Sequence, residues 1–404
     1  MLTPDRALKR ILASLSDVAP LPAERVTLAH ALDRALAEDV CAPVDLPGFD
    51  ASTMDGYALR AADAPEAGAR LPVAFEVYAG SPASQALPPG ACARIFTGSP
   101  LPEGADAVEM QEQVRRAGRN ARFLRPATPG RFVKARASDL AAGKVALPAG
   151  TVIDPGTLGL VAGAGLPELL VHRRPRVAVL PTGDELAAPG MPLGPGQIYE
   201  SNGQAIAAAV RDAGGEPVLL PIARDDARSL ERSLDAARGC DVLVTSGGVS
   251  VGERDLVRTA LESAGAEIDF WKVALRPGKP FTFGRWGRTL TFGLPGNPAS
   301  TLVTFELFVR PALRALAGLS GHGRLVTVAS LATPQEKPAE FEVYLRVRLR
   351  AGPAGLVAEP LRTQVSGHLS SAAGHDALAV LPAGKTRLAR GAKVAVRVLR
   401  APAP

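Results

Sequence analysis

One stretch constrains the fold of this chain more than any other: Cys240 to Asp255, which reads CDVLVTSGGVSVGERD. Its first half, Val242-Leu243-Val244-Thr245, is a short apolar, β-branched run of the kind that becomes a buried parallel strand. Ser246-Gly247-Gly248 breaks the run, and an apolar, helix-compatible segment, Leu256 to Ala264, follows Asp255. A strand that ends in small residues and turns into a helix leaves backbone N–H groups free at the carboxyl edge of a sheet. That edge is where α/β folds hold phosphates and other anions. Carboxylates beside such a loop repel phosphate unless a cation lies between them, so Glu253 and Asp255 suggest an oxyanion held together with Mg²⁺. Taken alone, the same pattern also describes an ordinary Gly-rich turn with solvated acids.

With 404 residues the chain exceeds the usual size of one domain, and its 47% apolar share supplies ample core. The net charge of +6 is mild for this length, and no large basic patch interleaved with stacking aromatics is visible, so nucleic acid is not expected as a partner. The three cysteines are far apart and show no C-x-x-C spacing, which suggests neither a disulfide framework nor a structural zinc site. No apolar window reaches the length of a membrane span, and residues 1–6 lack an apolar signal core. A cytoplasmic protein without a membrane partner is therefore expected.

Along the chain, Thr3-Pro4 is a good helix start, and Leu8, Ile11, Leu12 and Leu15 repeat at helical spacing behind it. A second helix is expected from Leu28 to Ala37. From about residue 42 to 140 short runs such as Val73 to Val77, Cys92 to Phe96 and Ala107 to Met110 alternate with Pro/Gly turns and read as all-β. Residues 141–172 return to mixed character, with a short helix from Asp154 to Ala162, so the β segment reads as an insertion. Residues 176–317 are the clearest α/β segment, with Ser201 or Asn202 able to cap a helix from Gln204 to Ala213 and Asn297-Pro298 starting a long apolar helix. Beyond residue 321, Phe341, Val343, Leu345, Val347 and Leu349 show the period of a strand in a small β domain.

Several strand-end loops of the α/β segment carry functional groups to one sheet edge: Asp184/Glu185, Glu200, Asp225/Asp226, Asp255 and Lys272/Lys279, joined by the helix start at Asn297. Any one of these acids is commonly a cap or a solvated side chain. Together, carboxylates and lysines suit a metal–phosphate substrate: acids hold Mg²⁺ and lysines neutralise phosphate charge.

The motifs PGFDASTMDGYA, TGSPLPEGADAV, LPTGDEL, IYESN, SGGVSVGERD, RPGKP, GLPGNPAS and QVSGHLSSAAGHDAL, in this order, resemble the MoeA molybdopterin molybdenumtransferases, which include the E domain of gephyrin. The resemblance covers nearly the whole length. It implies a multidomain α/β plus β fold: domain one from residues 1–41 with 141–172, a β insertion domain at 42–140, a molybdopterin-binding-like α/β domain at 173–320 and a C-terminal β domain at 321–404. It further implies a homodimer with an inter-subunit active site, and a reaction that inserts molybdenum from molybdate into adenylylated molybdopterin with Mg²⁺-dependent release of AMP. By position, Asp55, Glu185, Asp225, Asp255, Lys272 and Lys279 resemble the catalytic residues, with Glu185, Asp225 and Asp255 as metal ligands. Thr97, Asp139, Ser201, Asn202, Gly247, Gly248, Ser250, Arg276, Pro295, Gly296, Asn297, Arg346 and Ser366 resemble substrate-binding positions, the last two being implicated in molybdate handling.

Three departures from the family pattern are visible. The chain reads Lys134-Ala135-Arg136-Ala137-Ser138-Asp139 where the family has R-x-x-G-E-D, so a bidentate guanidinium is displaced and a carboxylate is lost. Arg276 replaces the first lysine of K-P-G-K, and Gly367-His368 stand where many members carry a polar or basic pair. Two other readings compete with molybdenum insertion: molybdopterin adenylylation, and a non-catalytic cofactor-binding scaffold. The insertion and β domains argue against the first, and retention of Asp55, Glu185, Asp225, Asp255 and Lys279 argues against the second.

Overall fold

A computed structural model describes residues 1–82, 85–248, 256–352 and 354–401. The chain forms two compact units, one of residues 1–25, 33–37 and 170–404 and the other of residues 26–32 and 38–169.

The larger unit is built on a six-stranded sheet. Its order is Glu216–Leu219, Arg176–Pro181, Val242–Ser246, Thr289–Leu294, Pro280–Trp286, Glu267–Lys272. The first four strands are parallel, Pro280–Trp286 runs antiparallel to them, and Glu267–Lys272 is antiparallel to Pro280–Trp286 in turn. Every residue of Val242–Ser246 is buried, as expected for a strand covered on both faces. Helices Ala227–Ala236 and Leu256–Ser263 cover one face through Leu230, Leu234, Val257 and Leu261. Helix Asn202–Asp212 and the run from Pro298 to Leu316 cover the other, where a cluster of phenylalanines (Phe281, Phe283, Phe292, Phe308) fills the core. That long helix contains a π stretch at Phe305–Val309, just ahead of Pro311, which has no N–H to return to the preceding turn. Helix Pro4–Ala13, capped by Thr3 as expected, packs Ala7 and Ile11 onto this core.

The C-terminal part of this unit is a closed five-stranded barrel: Glu342–Gly352, Gly355–Pro360, Val326–Leu331, Lys393–Val398 and Ala377–Leu381, the last pairing back to the first. Leu345, Val347 and Leu349 point inward, as their period of two predicts. The intervening Tyr344 and Arg346 are buried as well, because this stretch of barrel wall lies against the α/β core.

The smaller unit holds a second six-stranded sheet, in the order Ala107–Met110, Gly56–Leu59, Cys92–Ile95, Arg70–Val77, Asn120–Phe123, Val114–Ala117. Its pairings are antiparallel apart from Arg70–Val77 with Cys92–Ile95. Helix Pro155–Gly163 forms with Asp154 as its cap.

The helix expected from Leu28 to Ala37 is not formed. A single 3₁₀ turn at Leu28–His30 ends before Asp33, whose φ of 61° lies in the left-handed region and interrupts helical hydrogen bonding. Leu36 then bridges to Val171 as extended chain.

Candidate active site

The strand Arg176–Pro181 sends its chain to one side of the sheet and Val242–Ser246 takes up the other, so their carboxyl ends meet at the point where strand order reverses. A cleft of about 740 Å³ opens there, walled by Thr182-Gly183, Glu185, Ile198–Asn202, Asp225, Ser246–Gly248, Pro280, Pro295–Pro298, Gly367 and Leu369. All these residues belong to the larger unit. Two of the expected anchors require glycine. Gly247 has φ 96°, and a Cβ there would lie 2.6 Å from the Thr182 carbonyl oxygen. Gly248 has φ 66°, and its Cβ would meet Val257 Cγ2 at 2.3 Å. At Gly247 the loops after neighbouring strands touch backbone to backbone, and at Gly248 the turn lies against the Val257 side chain, because neither residue has a side chain of its own. The expectation of free N–H groups fails at one of them: Gly247 N–H donates to the Leu294 carbonyl at 3.2 Å.

The acids divide into two kinds. Glu200 and Asp226 are helix caps: Glu200 Oε1 accepts from Gly203 N at 2.5 Å, and Asp226 Oδ1 from Ser229 N at 2.8 Å. Ser201, expected as a cap, makes no side-chain cap bond, because Glu200 has taken that role. Asp184, Glu185 and Asp225 instead cluster at the cleft. Partial desolvation, and then the negative charges of Asp184 and Glu185, raise the Asp225 carboxyl above its ordinary value. Asp184 Oδ1 accepts from Asp225 N at 3.2 Å. A side chain at Gly183 would come within 2.5 Å of the Glu185 carboxylate, so glycine makes room for that group. Hard oxygen donors crowded against one another fit Mg²⁺ better than a soft metal. Among the described residues no three His, Cys, Asp or Glu side chains come close enough together to hold a metal ion between them. That is the ordinary case for Mg²⁺, which takes one or two carboxylates and completes its shell with water and substrate phosphates.

Asn202 ties the walls together: its Nδ2 donates to Ser246 Oγ at 2.9 Å and to the Gly296 carbonyl at 2.7 Å. Asn297 makes no side-chain cap bond for the helix it precedes. Its Nδ2 donates to Ser366 Oγ at 3.2 Å, and Ser366 O accepts from Ala299 N at 3.1 Å. The remaining cations lie off the cleft lining. Lys272 Nζ sits 3.6 Å from the centroid of the Trp271 ring, while Arg276 and Lys279 share the Phe341 ring at 4.6 and 5.7 Å. Arg346 is buried, donates Nε to the Ser371 carbonyl at 3.1 Å, and is lowered to about 10 by burial.

In the smaller unit Asp55 and Thr97 form a pair. Asp55 Oδ1 accepts from Thr97 N at 2.8 Å and Oγ1 at 2.7 Å, and these bonds, the backbone one foremost, hold the carboxyl below its ordinary value. Arg94, which the sequence did not single out, adds a favourable charge and lies over Tyr57 and Phe96. Asp139 pairs with Lys134 at 3.7 Å, while Arg136 is engaged by Asp45 at 2.6 Å. Asp255 and Ser250 lie outside the described residues. Tyr199, Ile198 and Leu369 were also missed; apolar side chains left exposed at a cleft rim carry no local sequence signal.

The chain matches three family models in order. They are the MoeA N-terminal region (domain I and II) at residues 2–165, a probable molybdopterin binding domain at 178–315, and the MoeA C-terminal region (domain IV) at 328–399. It is 40% identical over 384 residues to a molybdopterin molybdenumtransferase of a Nostoc species, covering 92% of this chain and 88% of that protein. It is 44% identical over 326 residues to molybdopterin molybdenumtransferase 2 of Mycobacterium tuberculosis, covering 77% and 80%. Among solved structures, a molybdopterin biosynthesis MoeA protein from Pyrococcus horikosii superposes with a TM-score of 0.85 at 33% identity, over 99% of this chain and 100% of that one.

Proposed function

Because the chain belongs to the MoeA family and is a molybdopterin molybdenumtransferase, we propose that its cleft binds adenylylated molybdopterin, inserts molybdenum delivered as molybdate, and releases AMP with Mg²⁺. The observation that carries this is the pair Glu185 and Asp225 lining a cleft floored by glycine turns, with the charge of Asp184 felt beside them. Acids in that number would expel a diphosphate by themselves; with a divalent ion between them they bind it. Glu185 and Asp225 would hold Mg²⁺, joined by Asp255 on the family reading, and Mg²⁺ when bound neutralises phosphate charge and polarises the P–O bond.

The protein's own groups do the rest. The Gly247-Gly248 and Gly296 turns let substrate come against main chain. Asn202 fixes the spacing of those two turns by bonding to both loops. Ile198, Tyr199 and Leu369, exposed at the rim, offer apolar surface to a flat pterin ring. Adenylylation alone is not favoured, since the molybdenumtransferase relatives match this chain through its β regions as well. A homodimer, in which the Asp55–Thr97 pair of one protomer serves the cleft of its partner, rests on the family resemblance, and a cytoplasmic location on the spacing of the cysteines. No helix among the described residues is long and apolar enough to cross a membrane.

The test mixes purified protein with adenylylated molybdopterin, molybdate and Mg²⁺. AMP appears and the product reconstitutes an apo-molybdoenzyme if the reading holds; absence of both sinks it.

A further inference from the structure

A basic groove on the outside of the barrel plays no part in the reaction just described. Along Glu342–Gly352 the inward positions are Leu345, Val347 and Leu349, so the outward ones are Arg346, Arg348 and Arg350. Arg346 is buried, whereas Arg348 and Arg350 are exposed and line a groove of about 620 Å³ together with Arg362 and His368. One carboxylate, Glu359, faces these four basic side chains, paired with Arg350 at 2.8 Å. That pair is solvent-exposed and so is weak enough to exchange for another carboxylate. Arg348 spends Nε on the Gly374 carbonyl at 3.2 Å and keeps the rest of its fork.

The shape and spacing of these charges select the ligand. A small oxyanion is held best by enclosed, desolvated donors, and here the arginines are exposed along an open groove. Outward positions on a strand recur about every 6.6 Å, the same repeat at which a second extended chain presents alternate side chains. Apolar Pro360 and Leu361 add wall for the side chains in between. We propose that this groove docks an extended acidic segment of a partner protein, with carboxylates at alternate positions seated on Arg348 and Arg350 and flanked by Arg362.

The location gives the docking a purpose. Gly367 and Leu369 line the cleft, while His368 and Ser370 of the same turn line the groove. A segment seated there lies one turn from the cleft. Resting on the reading of that cleft as the place where the molybdenum product forms, the groove suits a protein that receives the product.

The experiment uses the full chain and a fluorescent peptide of alternating Glu and Ser, followed by anisotropy, with alternating Lys and Ser peptide and inorganic tripolyphosphate as comparison arms. The acidic peptide binds, its affinity falls with salt, and the R348Q/R350Q/R362Q triple variant weakens it by roughly tenfold or more. Arg362→Glu alone, at an exposed loop position, weakens it in the same direction should the triple variant fold poorly. Molybdenum insertion with small-molecule substrates keeps its kcat in these variants. Equal binding by wild type and variants overturns the proposal, as does tripolyphosphate binding that excludes the peptide at far lower concentration. If no insertion activity is found in any protein, the peptide arm still reads the groove, so the two failures are told apart.

Discussion

Asp55 and Thr97, 42 residues apart in the chain, meet through two hydrogen bonds to one carboxylate oxygen, from the Thr97 N–H and the Thr97 hydroxyl. Two residues placed in separate motifs thus form one preorganised acid. The backbone donor survives any substitution of Thr97 other than proline, whereas the hydroxyl is lost in every one but serine.

Thr97→Val should therefore raise the Asp55 pKa part of the way back toward its ordinary value. The carboxyl is depressed in the fold, so its stabilisation is present at neutral pH and is lost as pH falls through the folded pKa. Side-chain carboxyl NMR titration of wild type and variant reads the shift directly. An unchanged pKa would show that the hydroxyl contributes nothing to the depression.

Asp225→Asn should lower AMP release by at least about a hundredfold, the scale of losing one electrostatic group aimed at the reacting centre. The fold should not suffer, because the substitution relieves repulsion from Asp184 and Glu185. The melting temperature measured in EDTA is expected to stay level or rise. EDTA should silence the wild-type enzyme, and added Mg²⁺ should restore it.

Gly247→Ala places a Cβ 2.6 Å from the Thr182 carbonyl oxygen at a φ of 96°. Backbone cannot yield as a side chain can, so the change should cost roughly 1–3 kcal/mol and widen the cleft wall. Urea unfolding followed by tryptophan fluorescence suits this measurement, since both tryptophans, Trp271 and Trp286, lie in the larger unit. Wild-type stability together with full activity would contradict the close approach.

His375 supplies a pH dependence. Burial, with Arg346 and Arg400 behind it, pushes its imidazole down to about 4 from 6.5. The unfolded chain then binds a proton that the folded one refuses, so stability falls as pH drops from about 6.5 toward 4. The loss at pH 5 should be on the order of 2 kcal/mol. His375→Gln should remove that slope, which unfolding curves at pH 7 and pH 5 would show.

Much of the fold was legible in the order of residues. Thr3-Pro4 and Asp154-Pro155 start helices where the capping rule places them, and Val242–Ser246 is the buried strand its composition announces. The Leu28–Ala37 helix misled because its leucine spacing is helical while Asp33 leaves the helical region, and a local pattern does not record that choice. In the site, the acid-rich loops were legible but their division of labour was not. Glu200 and Asp226 answer to N–H groups three residues away, whereas Asp184, Glu185 and Asp225 answer to one another across a sheet.

What the sequence determined by itself is much of what depends on near neighbours: the caps at Thr3 and Asp154, the alternation of the barrel strand, and the ordered motifs that mark the family. The tertiary structure alone decided which charges face one another. Strand order sets the distance between Asp184 and Asp225, and packing against the α/β core buries Arg346 while Arg348 and Arg350, on the same face of the same strand, stay in water. The reason is range. A hydrogen bond within one turn of chain is fixed by local geometry, but desolvation and Coulomb energy depend on atoms that only folding brings near.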